Sequence, residues 1–417
     1  MILSRQYFFS FLYIICIVVS FFPNYELTFL VWLATFIITI QKKYSITIFK
    51  YISIFSAILL IAVFSTLFYE NPFFSCLKDF TYLLKPILGI LLGYQLLKVI
   101  QKKHINVFIN AGLVLSIIHI GLILFALFKF HSIDMNLIRD KAGFFSDYEV
   151  YVLIVLLFHN KFELSILEKK RKTLILIIGF SVFMYLSRTN FLQFVILALG
   201  MKGYFILNSK SIKVILVSIS VLLTAYAAIF YANPKRNGKG LEALMYKIKI
   251  APQEAFKTKI NKNDWKDFND NYRSFENIIT INQVSLEGER AILFGKGLGS
   301  TLNLGQKIYT TDGSIIQYIS VAHNGFMTIY LKSGLLGVIL LIAFLIMFYS
   351  QTKSTIYLAN NVNLLLIGTC VFLIISTWVF MGLYFKLDNK SIIIGFLLAL
   401  KEKTIFDTKM NTEKVVT

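Results

Sequence analysis

The sequence predicts an all-α membrane protein of about twelve transmembrane helices, with one large, partly helical extracytoplasmic loop between the ninth and tenth. Three observations lead there. Of 417 residues, 57% are hydrophobic and 15% charged, where a soluble domain carries about a quarter charged residues. The apolar residues come in runs such as Ile14–Phe22, Ile52–Phe68, Leu174–Leu186 and Val338–Phe348, apolar on nearly every helical face. A helix of that kind needs lipid or a large core around it. Finally, lysines cluster between the runs, at Lys42-Lys43, Lys98 to His104, Lys169 to Lys172, Lys210 to Lys213 and from Lys401 onward.

The runs place spans at 6–22, 26–41, 46–69, 80–97, 105–128, 148–163, 173–187, 190–207, 214–231, 322–349, 364–385 and 389–402. An even number sets both termini on one side. The lysine-rich short turns at 42–43, 98–104, 168–172 and 208–213 share that side, which the positive-inside rule makes the cytoplasm. Residues 1–231 thus hold helices one to nine, 232–321 the large loop, 322–402 helices ten to twelve, and 403–417 a cytoplasmic tail. The loop contains helix-like stretches at Leu241–Lys249 and Asn271–Ser285, with turn signals at Asn233-Pro234 and Asn237-Gly238. It is expected to fold over the membrane as a lid or platform.

A net charge of +20 does not point to nucleic acid, because the lysines form no continuous basic face interleaved with stacking aromatics. Cys16, Cys76 and Cys370 have no paired or metal-like spacing. No HExxH or EF-hand pattern occurs, so neither a metal nor a cofactor is expected. No small-residue cleavage site follows the first apolar run, which argues against a cleavable signal peptide. The glycines of Gly295-Lys296-Gly297-Leu298-Gly299 lack the phosphate-loop spacing and read as a flexible or tight turn.

Arginine is scarce: Arg5, Arg139, Arg171, Arg188, Arg236, Arg273 and Arg290 are the only seven. Five of them, Arg139, Arg188, Arg236, Arg273 and Arg290, fall on the extracytoplasmic side, where topology signalling does not explain them. A guanidinium grips phosphate as a planar fork, so the cluster suggests an anionic ligand such as a diphosphate. Arg188 lies in the polar turn Ser187-Arg188-Thr189-Asn190 between two apolar helices. It reads either as a functional interfacial charge or as a snorkelling residue that solvates a hairpin. Arg273 has Glu276 three residues on, the spacing of a surface salt bridge. Arg290, after Glu287-Gly288-Glu289, reads as an ordinary loop charge. His323, in Ala322-His323-Asn324-Gly325-Phe326, sits where the loop re-enters the membrane. It is either a proton acceptor at neutral pH or part of a helix start that Asn324 caps.

Three stretches together resemble the bacterial O-antigen ligase and polymerase family: Phe294 to Ser300, Ala322 to Phe326, and Leu331-Lys332-Ser333-Gly334-Leu335-Leu336-Gly337. Upstream, Leu186-Ser187-Arg188-Thr189 resembles that family's Ser-Arg turn, and Ala142-Gly143-Phe144-Phe145 the motif before its sixth helix. The matches span residues 139–340 in the family's order. The resemblance implies a metal-independent glycosyltransferase akin to the C-type membrane class, in the bacterial inner membrane. Its donor would be an undecaprenyl-diphosphate-linked glycan. Its acceptor would be a second lipid-linked repeat for a polymerase, or lipid A-core for a ligase; the Lys332-Ser333-Gly334 form favours the polymerase. By position, Arg188, Arg273 and Arg139 would hold the diphosphate, and His323 would activate the acceptor hydroxyl. A transporter of lipid-linked sugars is the competing class. Against it stand the lack of an inverted repeat and the few ionisable residues at helix midpoints, Lys85-Pro86 being the main exception.

Overall fold

The computed structural model describes residues 2–22, 24–100, 103–131, 138, 141–143, 146–206, 208–238, 241–261, 263–309, 315–350, 354–385 and 388–416. The chain is mostly helical, and a helix lies in each of the twelve apolar segments. Before the large loop these are α1 (Ile2–Val19), α2 (Tyr25–Thr39), α3 (Ile46–Thr66), α4 (Phe73–Val99), α5 (His104–Phe130), α6 (Asp147–Leu157), α7 (Glu168–Met184), α8 (Arg188–Met201) and α9 (Ser209–Ala232). Among the described residues, six helices are long and apolar enough to cross a membrane: α3, α4, α5, α9 and, after the loop, two helices over Gly325–Tyr349 and Tyr357–Phe380. This makes the chain a membrane-embedded protein. Polar residues start several helices by accepting from the first turn: Asn24 from the Leu27 N–H, Ser45 from Ile48 and Asn208 from Ser211.

The loop carries its own elements: α10 (Leu241–Phe256), α11 (Trp265–Asp270), α12 (Tyr272–Leu286), α13 (Glu289–Phe294) and a hairpin of β1 (Leu302–Tyr309) with β2 (Ile315–Ile319). The strands pair antiparallel, Leu302 opposite Ile319 and Tyr309 opposite Ile315, with a register shift between Asn303 and Ile308. This hairpin is a departure from the expected all-helical chain. Leu302 and Leu304 alternate with polar neighbours, and Leu302, Leu304, Phe268, Phe275, Ile279 and Val284 form a small core of their own. The loop is therefore folded, and Leu331 and Ala322 tie that core to the next helix.

After the loop come α14 (Gly325–Tyr349), α15 (Tyr357–Phe380) and α16 (Lys390–Val416). The last helix runs past the expected end of its span at 402, so the tail continues it without a break. α4 and α16 pack most intimately. Gly89 and Gly93 stand one turn apart on α4, and a Cβ at Gly93 would lie 2.0 Å from the Ile392 carbonyl oxygen. Small residues at this spacing let helix backbones approach in lipid, where apolar burial alone gives little drive. α9 behaves differently. No residue in its apolar window is buried, and its main neighbour is α10.

Candidate functional site

The turn between α7 and α8 is tight. Leu186 takes a left-handed conformation (φ 45°), and Ser187 precedes the first helical residue, Arg188, without capping it. A cation at a helix N-terminus opposes the helix dipole, whereas an anion there is favoured. Arg188 Nη1 donates to the Lys247 carbonyl at 2.8 Å, which joins this turn to α10 of the loop. Two residues on, Asn190 is buried, and neither polar atom of its amide finds a partner among the described residues. Water or a ligand ordinarily completes such an amide.

Arg188 and Arg273 line one cavity of about 220 Å³. Its polar wall is formed by these two guanidiniums with Thr189, Glu254 and Asn277; its apolar wall runs along Leu192 of α8 and Phe372, Ile375 and Val379 of α15. The salt bridge expected between Arg273 and Glu276 is not the one formed. Arg273 Nη1 pairs instead with Glu254 Oε1 at 3.1 Å, because α10 crosses α12 and brings its carboxylate over the arginine. Glu276 turns to another partner.

That partner is His323. Both Glu276 oxygens lie 2.9 Å from His323 Nδ1, and Oε2 also accepts the His323 backbone N–H at 2.8 Å. The carboxylate is 1% exposed while the imidazole is 51% exposed. A carboxylate can only accept, so Nδ1 carries the hydrogen, and in the neutral ring Nε2 presents its lone pair. Tyr272 packs edge-on against the ring, 5.9 Å between centroids. Burial, with Glu276 beside it, holds the Tyr272 phenol above its ordinary range, so it stays a hydrogen-bond donor. Asn324 caps α14, its Oδ1 accepting from the Phe326 and Met327 N–H groups. Asn324 thus caps the helix as the sequence suggested, and His323 is held by a buried acid.

The imidazole is not part of the cavity lining. Arg273 and Asn277, one turn apart on α12, line the cavity, and Glu276, which lies between them in sequence, holds His323. Arg236 is elsewhere, bonded through Nε and Nη2 to Asp270 Oδ1 at 3.2 and 3.0 Å. Arg290 lies over the Phe68 ring at 4.6 Å. Arg139, and the Phe144-Phe145 half of the upstream motif, lie outside the described residues.

The glycine-rich turn differs from the flexible alternative: it is a buried, tight turn. Lys296 N–H donates to the Leu331 carbonyl at 2.7 Å and Gly297 N–H to the Lys332 carbonyl at 3.2 Å. This is possible because α14 breaks at Gly334 (φ 64°, ψ −163°), freeing carbonyls one turn earlier. Lys332 points inward to Asp79 Oδ2 at 2.5 Å and to the Ser300 carbonyl, and Asp79 also accepts the Gly299 N–H at 2.7 Å. The Gly-rich and Lys-Ser-Gly motifs are therefore two halves of one structural joint, which holds α14 beneath His323.

The bundle interior holds more charge than the sequence reading allowed. Lys390 pairs with Asp147 at 2.7 Å and Asp388 at 2.5 Å, all buried, and Lys85 donates to the Phe385 carbonyl at 2.7 Å. Glu149, also buried, accepts from Ser116, Ser181 and Tyr185. Asp147, Asp388 and Lys390 escaped notice because they sit next to helix ends, which read as surface in one dimension but are buried in the fold.

No family model, no curated protein and no solved structure matches the chain.

Proposed function

We propose that the chain is a metal-independent glycosyltransferase of the bacterial inner membrane, with twelve spans, cytoplasmic termini and the 232–321 loop outside. It joins undecaprenyl-diphosphate-linked oligosaccharide repeats. The observation that carries this is the single cavity in which Arg188 and Arg273 face a wall of α8 and α15 side chains. Charge at one end and hydrocarbon along the other is the complement of a polyprenyl diphosphate. Glu276, which holds His323, lies on α12 between the lining residues Arg273 and Asn277.

The chemistry follows from those groups. The acceptor hydroxyl gives its proton to His323 Nε2, and its oxygen bonds to the anomeric carbon of the donor. The bond from that carbon to the diphosphate oxygen breaks, and the diphosphate leaves with the electron pair. Guanidiniums placed in advance stabilise this developing charge best in a site poor in water. Glu276 stabilises the imidazolium. Glu254 competes with the diphosphate for Arg273 and orients it until donor arrives. The acceptor is a second lipid-linked repeat, which makes the protein a polymerase. A ligase acting on lipid A-core uses the same groups.

The test of the site is lipid binding in nanodiscs. Undecaprenyl diphosphate is expected to bind more tightly than undecaprenyl monophosphate, and this preference to shrink in Arg188→Ala and Arg273→Ala. Equal binding of both lipids by the wild type and both variants would overturn the assignment.

A second reading, a transporter of lipid-linked sugars, is favoured by one observation: the buried Asp147–Lys390–Asp388 chain beside Lys85. Intramembrane ionisable groups mark ion and proton paths in transporters. A carrier of that kind stops when the membrane potential is collapsed. A transferase continues.

A further inference from the structure

A second pocket lies at the far end of α8. That helix is 14 residues long, about 20 Å at the rise of an α-helix, so its end at Met201 lies on the face opposite the Arg188 cavity. Here a pocket of about 300 Å³ is lined by Lys161, Lys202, Lys210, Tyr204, Asn208 and Ser211, among others. Among the described residues its lining holds three ammonium groups and no carboxylate. Lys161 is anchored: its Nζ donates to the Met201 carbonyl and lies 5.7 Å from the Phe158 ring centroid.

A separate observation concerns α9, which rises from this pocket. Ser211, at its foot, is its one buried residue, while Leu216, Val217, Val221, Leu222 and Leu223 are each more than half exposed. A helix that packs so little on its own bundle presents its apolar side chains to the membrane, where chains of lipid cover them. A basic pocket between helices at the cytoplasmic level is a recurrent headgroup site. From the two together we infer that Lys161, Lys202 and Lys210 bind the phosphate headgroup of an anionic glycerophospholipid, whose acyl chains lie between α9 and the bundle. The lipid fastens the foot of α9. This site does not depend on the transferase reading.

Native mass spectrometry of the full-length protein, titrated with phosphatidylglycerol, phosphatidylcholine or inorganic phosphate, tests it. Wild type is expected to retain phosphatidylglycerol over phosphatidylcholine. The triple variant Lys161→Gln/Lys202→Gln/Lys210→Gln is expected to lose that affinity by on the order of 100-fold. The corresponding triple arginine variant keeps it, which separates lost charge from lost folding. Lys169→Gln/Lys170→Gln/Lys172→Gln, an equal loss of charge on the same face, is expected to change little. Equal loss in this control would make the effect diffuse electrostatics and overturn the site. So would wild type retaining no anionic lipid, or phosphate alone binding at the three lysines with no lipid retained.

Discussion

His323 is held through two of its own donors by one buried carboxylate, while its remaining nitrogen is free to act. On the proposed mechanism His323→Ala should slow transfer by ~10²–10⁴-fold, the usual worth of one positioned base, and leave donor binding near wild type. Glu276→Gln keeps the volume but not the charge that stabilises the imidazolium, so kcat should fall with little change in donor affinity. Equal losses of donor affinity in both variants would show that this pair shapes the cavity and performs no proton transfer. Glu254→Gln should act in the opposite sense. It removes the only carboxylate among the described residues of the cavity lining, and a several-fold gain in affinity for undecaprenyl diphosphate, measured by titration in nanodiscs, is expected. At this scale the sequence was half legible. Arg188, Arg273 and His323 stood out by scarcity and position. Glu276 was visible too, but the i,i+3 spacing paired it with Arg273, since only the tertiary fold brings Glu254 and His323 into competition for them.

The joint between the glycine-rich turn and α14 sets where His323 stands. Gly334 occupies a region of backbone space open essentially to glycine alone, and a Cβ there would lie 2.4 Å from the Leu293 carbonyl. Gly334→Ala should cost about 1–3 kcal/mol in backbone strain alone, read as a lowered thermal midpoint in detergent. The Asp79–Lys332 pair within the same joint is buried on both sides. Asp79→Ala strands an ammonium and should cost about 3–5 kcal/mol, whereas replacing both partners with apolar residues of similar volume should cost much less. Denaturation of the single and double variants side by side checks this. The helices themselves were readable from apolar runs, because hydropathy reports on burial in lipid directly. The hairpin and the break at Gly334 were not. Each depends on a partner far away in sequence, Gln283 bonding Asn303 in one case and the 295–297 turn in the other.

Across the whole molecule, one face carries a folded loop with its own core over an arginine-lined cavity, and the other carries lysine-rich turns. The positive-inside reading puts the termini with the lysines. Single cysteines placed at exposed loop positions in a variant lacking Cys16, Cys76 and Cys370 should therefore label from outside intact cells within 241–319, and not at 168–172. The reverse pattern would invert the topology and remove the site from the face where lipid-linked glycans are joined. The chain-wide arrangement was legible because charge and hydropathy are summed over many residues. The buried Asp147–Lys390–Asp388 chain was not, since helix ends read as surface in one dimension. On the proposed mechanism, in which arginine neutralises the leaving diphosphate, activity should also be unchanged by a metal chelator.

The most direct measurement is sugar transfer by the purified protein in nanodiscs, supplied with undecaprenyl-diphosphate oligosaccharide from its own glycan pathway, without nucleotide or added metal. A ladder of joined repeats is expected from the wild type, lost in Arg188→Ala and His323→Ala. Transfer only on addition of lipid A-core would make the protein a ligase acting through the same site. No transfer to either acceptor, by folded protein that moves lipid-linked sugar in a potential-dependent way, would contradict the transferase and establish the transporter in its place.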